Sequence, residues 1–126
     1  MSENSRPATR AVWRLIAPLA LMALIFIESG RPMPVEVPSG GDKLLHFAAY
    51  FALTGTWGWA LAPWFAAGPR ALISATLAAL YGASDEWHQT FIPERDGSIF
   101  DWYADVCGAL LGAIVIWRFG NSAPVS

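Results

Sequence analysis

Four apolar stretches, separated by short segments rich in Pro and Gly, constrain this chain to a set of packed helices. The first, residues 11–28, reads AVWRLIAPLALMALIFIE, close to the roughly 20 residues that span a bilayer. Arg14 lies near one end, where its side chain can snorkel to headgroups. Basic residues ahead of this run resemble a signal peptide, but the chain continues E-S-G-R-P-M-P without an A-x-A-like site, so a retained span is expected. Residues 29–42 read as a Pro/Gly loop, and a second span runs from Lys43 to Pro63. Pro63, Gly68 and Pro69 mark a turn, and a third span begins near Arg70. Its purely apolar part, Ala71–Ala83, covers only about 20 Å at 1.5 Å per residue. That falls short of a hydrocarbon core, so the helix is expected to continue through Ser84–Phe91. Pro93–Ser98 form the next loop, and the fourth span runs from Phe100 to Phe119.

The expected fold is therefore all-α, a four-span transmembrane helical bundle. Residues 1–10 form an N-terminal segment, 11–119 the membrane domain and 120–126 a polar tail. Composition agrees: 55% of the 126 residues are hydrophobic and only 14% charged, well below the one-quarter usual in soluble proteins. Trp13, Trp64, Trp87, Trp102 and Trp117 fall near span ends, as in an aromatic belt, whereas Trp57 and Trp59 suit core positions equally well. With four spans both termini share a side. Arg6, Arg10, Arg14, Arg70 and Arg118 lie there, against Arg31, Lys43 and Arg95 opposite, so the positive-inside rule makes the termini cytoplasmic. The expected location is a bacterial cytoplasmic (inner) membrane. A net charge of −2 and scattered basic residues leave no nucleic-acid footprint. The single cysteine, Cys107, excludes an intrachain disulfide and reads as a small buried hydrophobe.

Against this background residues 84–105 stand out, with six carboxylates, one Arg and one His in a chain holding only ten acidic residues. Ionisable groups at membrane depth cost roughly 2.5–3.5 kcal/mol each on insertion scales, so they point to function by default. The topology brings the polar ends of spans two, three and four to one non-cytoplasmic face. Lys43, His46 and Tyr50 share a helical face, as do Asp85, His88 and Gln89, and again Asp101 and Asp105; Glu86 meets Gln89 one turn on. His46 and Glu86 are the candidate acid–base pair. Lys43, Tyr50, Gln89, Arg95, Asp101 and Asp105 are candidate ligand-binding residues, with Arg95 and Lys43 suited to an anionic group such as a lipid phosphate. Structural alternatives exist: Asp42 as an N-cap, Asp101 as a helix-dipole partner, Glu94 and Asp96 as solvated loop charges. No compact metal motif such as H-E-x-x-H occurs, so neither a metal nor another cofactor is expected. Ala104, Gly108 and Gly112 make a small-residue stripe suited to close packing within the bundle.

The order Asp42, Lys43, His46, Tyr50, then Glu86, Gln89, then Pro93, Arg95, then Asp101, Asp105, Gly108 resembles the VanZ-like family of small bacterial membrane proteins. The resemblance covers residues 40–115, with two departures: the family usually has Asn where this chain has Asp105, and often Gly where it has Glu94. It implies a multi-pass bacterial membrane protein, and the family's namesake is linked to teicoplanin-type glycopeptide resistance. The leading expectation is a site that binds or processes an anionic envelope lipid or lipid-linked glycan at the outer face. A non-enzymatic scaffold with a structural polar cluster is the alternative, and a permease ranks below both because no internal repeat is present. Oligomeric state and a separate role for Asp85 or His88 are left open.

Overall fold

The computed structural model describes Thr9, residues 11–31, 41–93 and 98–120. Among these residues the chain is all-helical: a short 3-10 turn (Val12–Leu15) runs into α1 (Ile16–Ser29), followed by α2 (Gly41–Leu61), α3 (Ala67–Gln89) and α4 (Ile99–Phe119). Val12–Ser29 and Ile99–Phe119 are each long and apolar enough to cross a membrane. At 1.5 Å per residue, α2 and α3 reach about 31 Å and 34 Å, which is also bilayer length, but both carry more polar side chains.

The distribution of side chains is inverted relative to a soluble bundle. Every helix turns large apolar residues outward, among them Leu19 and Phe26 of α1, Leu44 of α2, Leu72 and Leu80 of α3, and Leu110 and Ile114 of α4. The interior instead holds Thr54, Ser74, Asp85, Gln89, Asp101 and Asp105 beside Tyr50, Leu53, Ala78 and Ala109. An apolar perimeter this continuous calls for apolar surroundings.

α4 is the central element, packed along both α2 and α3, with α1 more peripheral. The small-residue stripe explains this. A Cβ on Gly108 would collide with the carbonyl oxygen of Phe47, and one on Gly112 would meet Thr54 Cβ at 2.8 Å. The missing side chains let the α4 backbone lie directly on α2. Gly58 does the same in reverse, accepting the side chain of Ile116. The stripe thus serves packing inside the bundle, as its spacing indicates.

The far end, where α2 finishes and α3 begins, is basic. Arg70 is buried there and donates to the Gly120 carbonyl at 2.6 Å, tying the start of α3 to the end of α4. Arg14 donates to the Trp59 carbonyl at 2.9 Å and lies over the Trp59 ring at 4.5 Å, a cation–π contact.

Three expectations need correction. Cys107 is exposed on the outer surface of α4 rather than buried, because the stripe at 104, 108 and 112 turns position 107 away from the bundle. Asp42 does not precede α2 as an N-cap but lies in its first turn. Pro69 does not end a turn; α3 has already begun at Ala67, and the first helical turn tolerates Pro because its N–H would have no intrahelical partner. Trp57 packs against the core, and Trp59 is exposed under Arg14.

Gly108→Ala should therefore destabilise the bundle by about 1–3 kcal/mol, the usual cost of overpacking. Gly55→Ala, where a Cβ meets nothing within 4 Å, should be neutral or slightly stabilising. Thermal denaturation of the two variants in detergent checks this; equal midpoints would place the α2–α4 contact elsewhere.

Candidate functional site

The antiparallel order brings the end of α1, the start of α2, the end of α3 and the start of α4 to one end of the bundle. Ser98 organises the α4 start: its hydroxyl accepts from the Phe100 N–H at 3.2 Å as the N-cap, and its own N–H donates to Glu86 Oε2 at 3.1 Å. Asp101 and Asp105, one turn apart on α4, are then presented to α2, both buried.

His46 sits at the centre of a ring of carboxylates. Its Nδ1 donates to Asp105 Oδ1 at 2.7 Å, the shortest contact in the cluster, and Asp105 is completely buried. Glu86 Oε1 stands 3.6 Å from the same nitrogen, and Asp101 Oδ2 stands 4.0 Å from Nε2. Lys43, half-exposed, places its Nζ 3.6 Å from Asp101 Oδ1 and 4.0 Å from Asp42 Oδ2. Among the described residues carboxylates outnumber cations here, and Glu86 Oε1, Asp101 Oδ1 and Asp105 Oδ2 are buried without a hydrogen-bond partner.

A second compartment opens on the other side of His46. A cavity of about 380 Å³ lies between α1, α2 and α3. Leu21, Leu24 and Ile25 of α1 and Leu45 and Ala49 of α2 form its apolar wall. Ser29, Asp42, His46, Tyr50, Asp85 and Gln89 line its polar part. Tyr50 donates to Asp85 Oδ2 at 3.4 Å, and Gln89 donates to Ser29 Oγ at 3.3 Å.

Of the sequence-derived candidates, Lys43, His46, Glu86, Asp101 and Asp105 converge into one cluster. Tyr50 and Gln89 belong to the neighbouring cavity, which His46 also lines. Arg95 lies outside the described residues, as do Glu94 and Asp96. Asp101 occupies the first turn of α4, where the helix dipole favours an acid, and also faces Lys43 and His46. His88 lies apart from the cluster, stacked on Phe26 with ring centroids 4.5 Å apart.

Sequence reasoning missed Ser29 and Gly82. Ser29 ends an apolar run and resembles the start of a loop, yet it is buried and accepts from Gln89. Gly82 makes room for the site, since a Cβ there would stand 3.0 Å from Asp105 Oδ2 and 3.2 Å from the Tyr50 ring. A glycine inside an otherwise helical run was the available signal, because its usual reason is a close approach by something else.

A family model described as VanZ/LLP1 matches residues 8–120, from the first helix to the end of the fourth. No curated protein and no solved structure matches the chain.

Asp105→Ala leaves the buried His46 Nδ1–H without its acceptor, which should cost roughly 1–3 kcal/mol. Asp105→Asn retains a carbonyl acceptor of the same shape and should keep most of that stability. Unfolding midpoints of both variants measure the difference; equal losses would mean that the His46 bond does not hold the site together.

Proposed function

We propose that this chain, which belongs to the VanZ/LLP1 family, is a four-span protein of a bacterial cytoplasmic membrane that binds a lipid-like ligand at the non-cytoplasmic end of its bundle. The observation that carries this reading is the cavity beside His46, apolar on its α1 and α2 walls and polar at Ser29, Tyr50, Asp85 and Gln89. Its volume of about 380 Å³ lies within the range of small-molecule sites, enough for a headgroup and the first methylenes of a chain. The outward-facing Leu, Ile and Phe residues of all four helices support residence in lipid.

The ligand class is an anionic envelope lipid or lipid-linked glycan. Lys43 and Arg95 are the candidate cations for a phosphate; Lys43 faces Asp101 at 3.6 Å and Asp42 at 4.0 Å, and Arg95 lies outside the described residues. If the ligand is processed, His46 and Glu86 are the acid–base candidates, since they stand together and each is restrained by a hydrogen bond, to Asp105 and to the Ser98 N–H. Basic side chains at the opposite end, Arg14, Arg70 and Arg118, favour cytoplasmic termini. A second reading, a scaffold whose polar cluster only fixes helix packing, draws support from the bonds that cluster members make to one another, His46 to Asp105 and Gln89 to Ser29.

Native mass spectrometry of protein purified in mild detergent separates the two. The wild type should carry a co-purified anionic lipid or lipid-linked glycan. Ala49→Phe, which fills the cavity, and Arg95→Ala should lose it while melting within a few degrees of wild type. Variants that simply unfold, or a wild type that retains no lipid, would favour the scaffold.

Orientation has its own test, with Cys107→Ser as background. A cysteine introduced by Phe91→Cys at the end of α3 should react with an impermeant maleimide on intact spheroplasts, and Gly68→Cys at the opposite end only after lysis. The reverse pattern would invert the topology.

A further inference from the structure

We infer that His46, Glu86 and Asp101 form a binding site for a first-row divalent cation, with Asp105 orienting the histidine. One ring nitrogen of His46 and one carboxylate oxygen from each of Glu86 and Asp101 lie within 4.8 Å of one another. Ligand atoms held at about 2.1 Å from an ion sit roughly 3–4 Å apart, so modest side-chain movement closes this set around a metal.

An acidic cluster alone would not make a site. The second observation is the state of the oxygens. Glu86 is 8% exposed; its Oε2 is engaged by the Ser98 N–H, and its Oε1 is buried toward His46 with no hydrogen-bond donor among the described residues. Asp101 is 7% exposed and its buried Oδ1 likewise lacks a hydrogen bond, its nearest cation being Lys43 at 3.6 Å. Buried carboxylate oxygens without donors are costly and call for a partner. Among the described residues, the three carboxylates of Glu86, Asp101 and Asp105, when ionised, face one ammonium, that of Lys43, and the excess of negative charge is what a dication would balance.

Asp105 already provides the histidine with an orienting partner. With Nδ1–H donating to Asp105 Oδ1 at 2.7 Å, Nε2 is the nitrogen left for a metal; Asp101 Oδ2 stands 4.0 Å from it, whereas Glu86 Oε1 stands 3.6 Å from Nδ1 and must turn toward the Nε2 edge. Metal-bound histidines characteristically give their other N–H to a carboxylate in this manner. One imidazole with two carboxylates suits Mn²⁺ or Zn²⁺ better than Ca²⁺, which takes oxygen ligands alone. The three donors come from three helices, so no sequence spacing announces them. The cation reading does not require the lipid reading, because Glu86 and Asp101 do not line the cavity.

Titration of chelator-stripped full-length protein in lipid nanodiscs with Mn²⁺, followed by electron paramagnetic resonance, tests the site. One saturable Mn²⁺ per chain is expected, with ¹⁴N coupling from an imidazole that disappears in His46→Gln. Glu86→Gln and Asp101→Asn should each weaken binding at least tenfold, and Asp105→Asn by roughly 10–100-fold as an orienting partner. Thr76→Ala, exposed on α3 away from the cluster, should leave it unchanged. Circular dichroism and gel filtration identify any variant that fails to fold, in which case the other isosteric variants decide. No saturable Mn²⁺ or Zn²⁺ uptake by the wild type, or uptake without ¹⁴N coupling and indifferent to Glu86 and Asp101, would overturn the assignment. Metal binding without co-purified lipid, or lipid without metal, would separate this site from the lipid reading.

Discussion

Gly108 brings the α4 backbone against the Phe47 carbonyl, and one turn earlier Asp105 meets the His46 ring, the residue before Phe47. Nearly everything polar in the molecule is arranged around that contact. A wider separation of α2 and α4 would leave Asp105 buried without its donor, and an ionised carboxylate in that position is among the most expensive groups a protein can hold. Close packing and the charged hydrogen bond therefore depend on each other. Gly82 extends the dependence to α3, since the space vacated by its missing side chain is occupied by Asp105 and Tyr50. Small residues on two helices thus make a polar pocket in which large side chains on the others can meet.

The same logic explains the inverted surface. In an apolar solvent there is little to gain from burying leucine, so the interior is free to hold the groups that lipid would reject. Those groups must then satisfy one another, and most do: Trp102 donates to the Ala79 carbonyl at 3.0 Å, Gln89 to Ser29, and Tyr50 to Asp85. Among the described residues, oxygens without a donor occur where α2, α3 and α4 meet, at Glu86, Asp101 and Asp105, and also at Asp85, Thr54 and Ser74.

Much of this architecture was legible in the sequence. Apolar runs and Pro/Gly breaks located four helices to within a few residues, and topology then put the polar ends of three of them together. The spacing of Asp101 and Asp105 identified a shared face, and both side chains turn inward. Less legible was how adjacent residues divide between neighbours. Asp85 and Glu86 are consecutive, about 100° apart around α3, and so serve different compartments: Asp85 meets Tyr50 at the cavity, Glu86 meets His46 and the α4 start. Gln89, grouped with both by periodicity, reaches across to α1 instead. Periodicity reports which residues share a face but not which neighbour that face meets, and Ser29 had no periodic signal at all. Cys107 illustrates the converse error: an apolar neighbourhood in sequence suggests burial only when the surroundings are water.

His46 belongs to both compartments, lining the cavity and facing the carboxylates of α3 and α4. This bears on how an anionic headgroup could approach an acidic site. Coulomb repulsion from Asp85, Glu86, Asp101 and Asp105 acts over distances of several ångströms and is weakly screened where water is scarce. Lys43 is already engaged by Asp101 and Asp42, so it offers little uncommitted charge. A dication held by His46, Glu86 and Asp101 would offset two of those four negative charges and weaken the repulsion that an anionic headgroup meets in the cavity. The two proposed ligands would then be coupled through a single imidazole, and each would bind more tightly in the presence of the other, since such coupling is reciprocal.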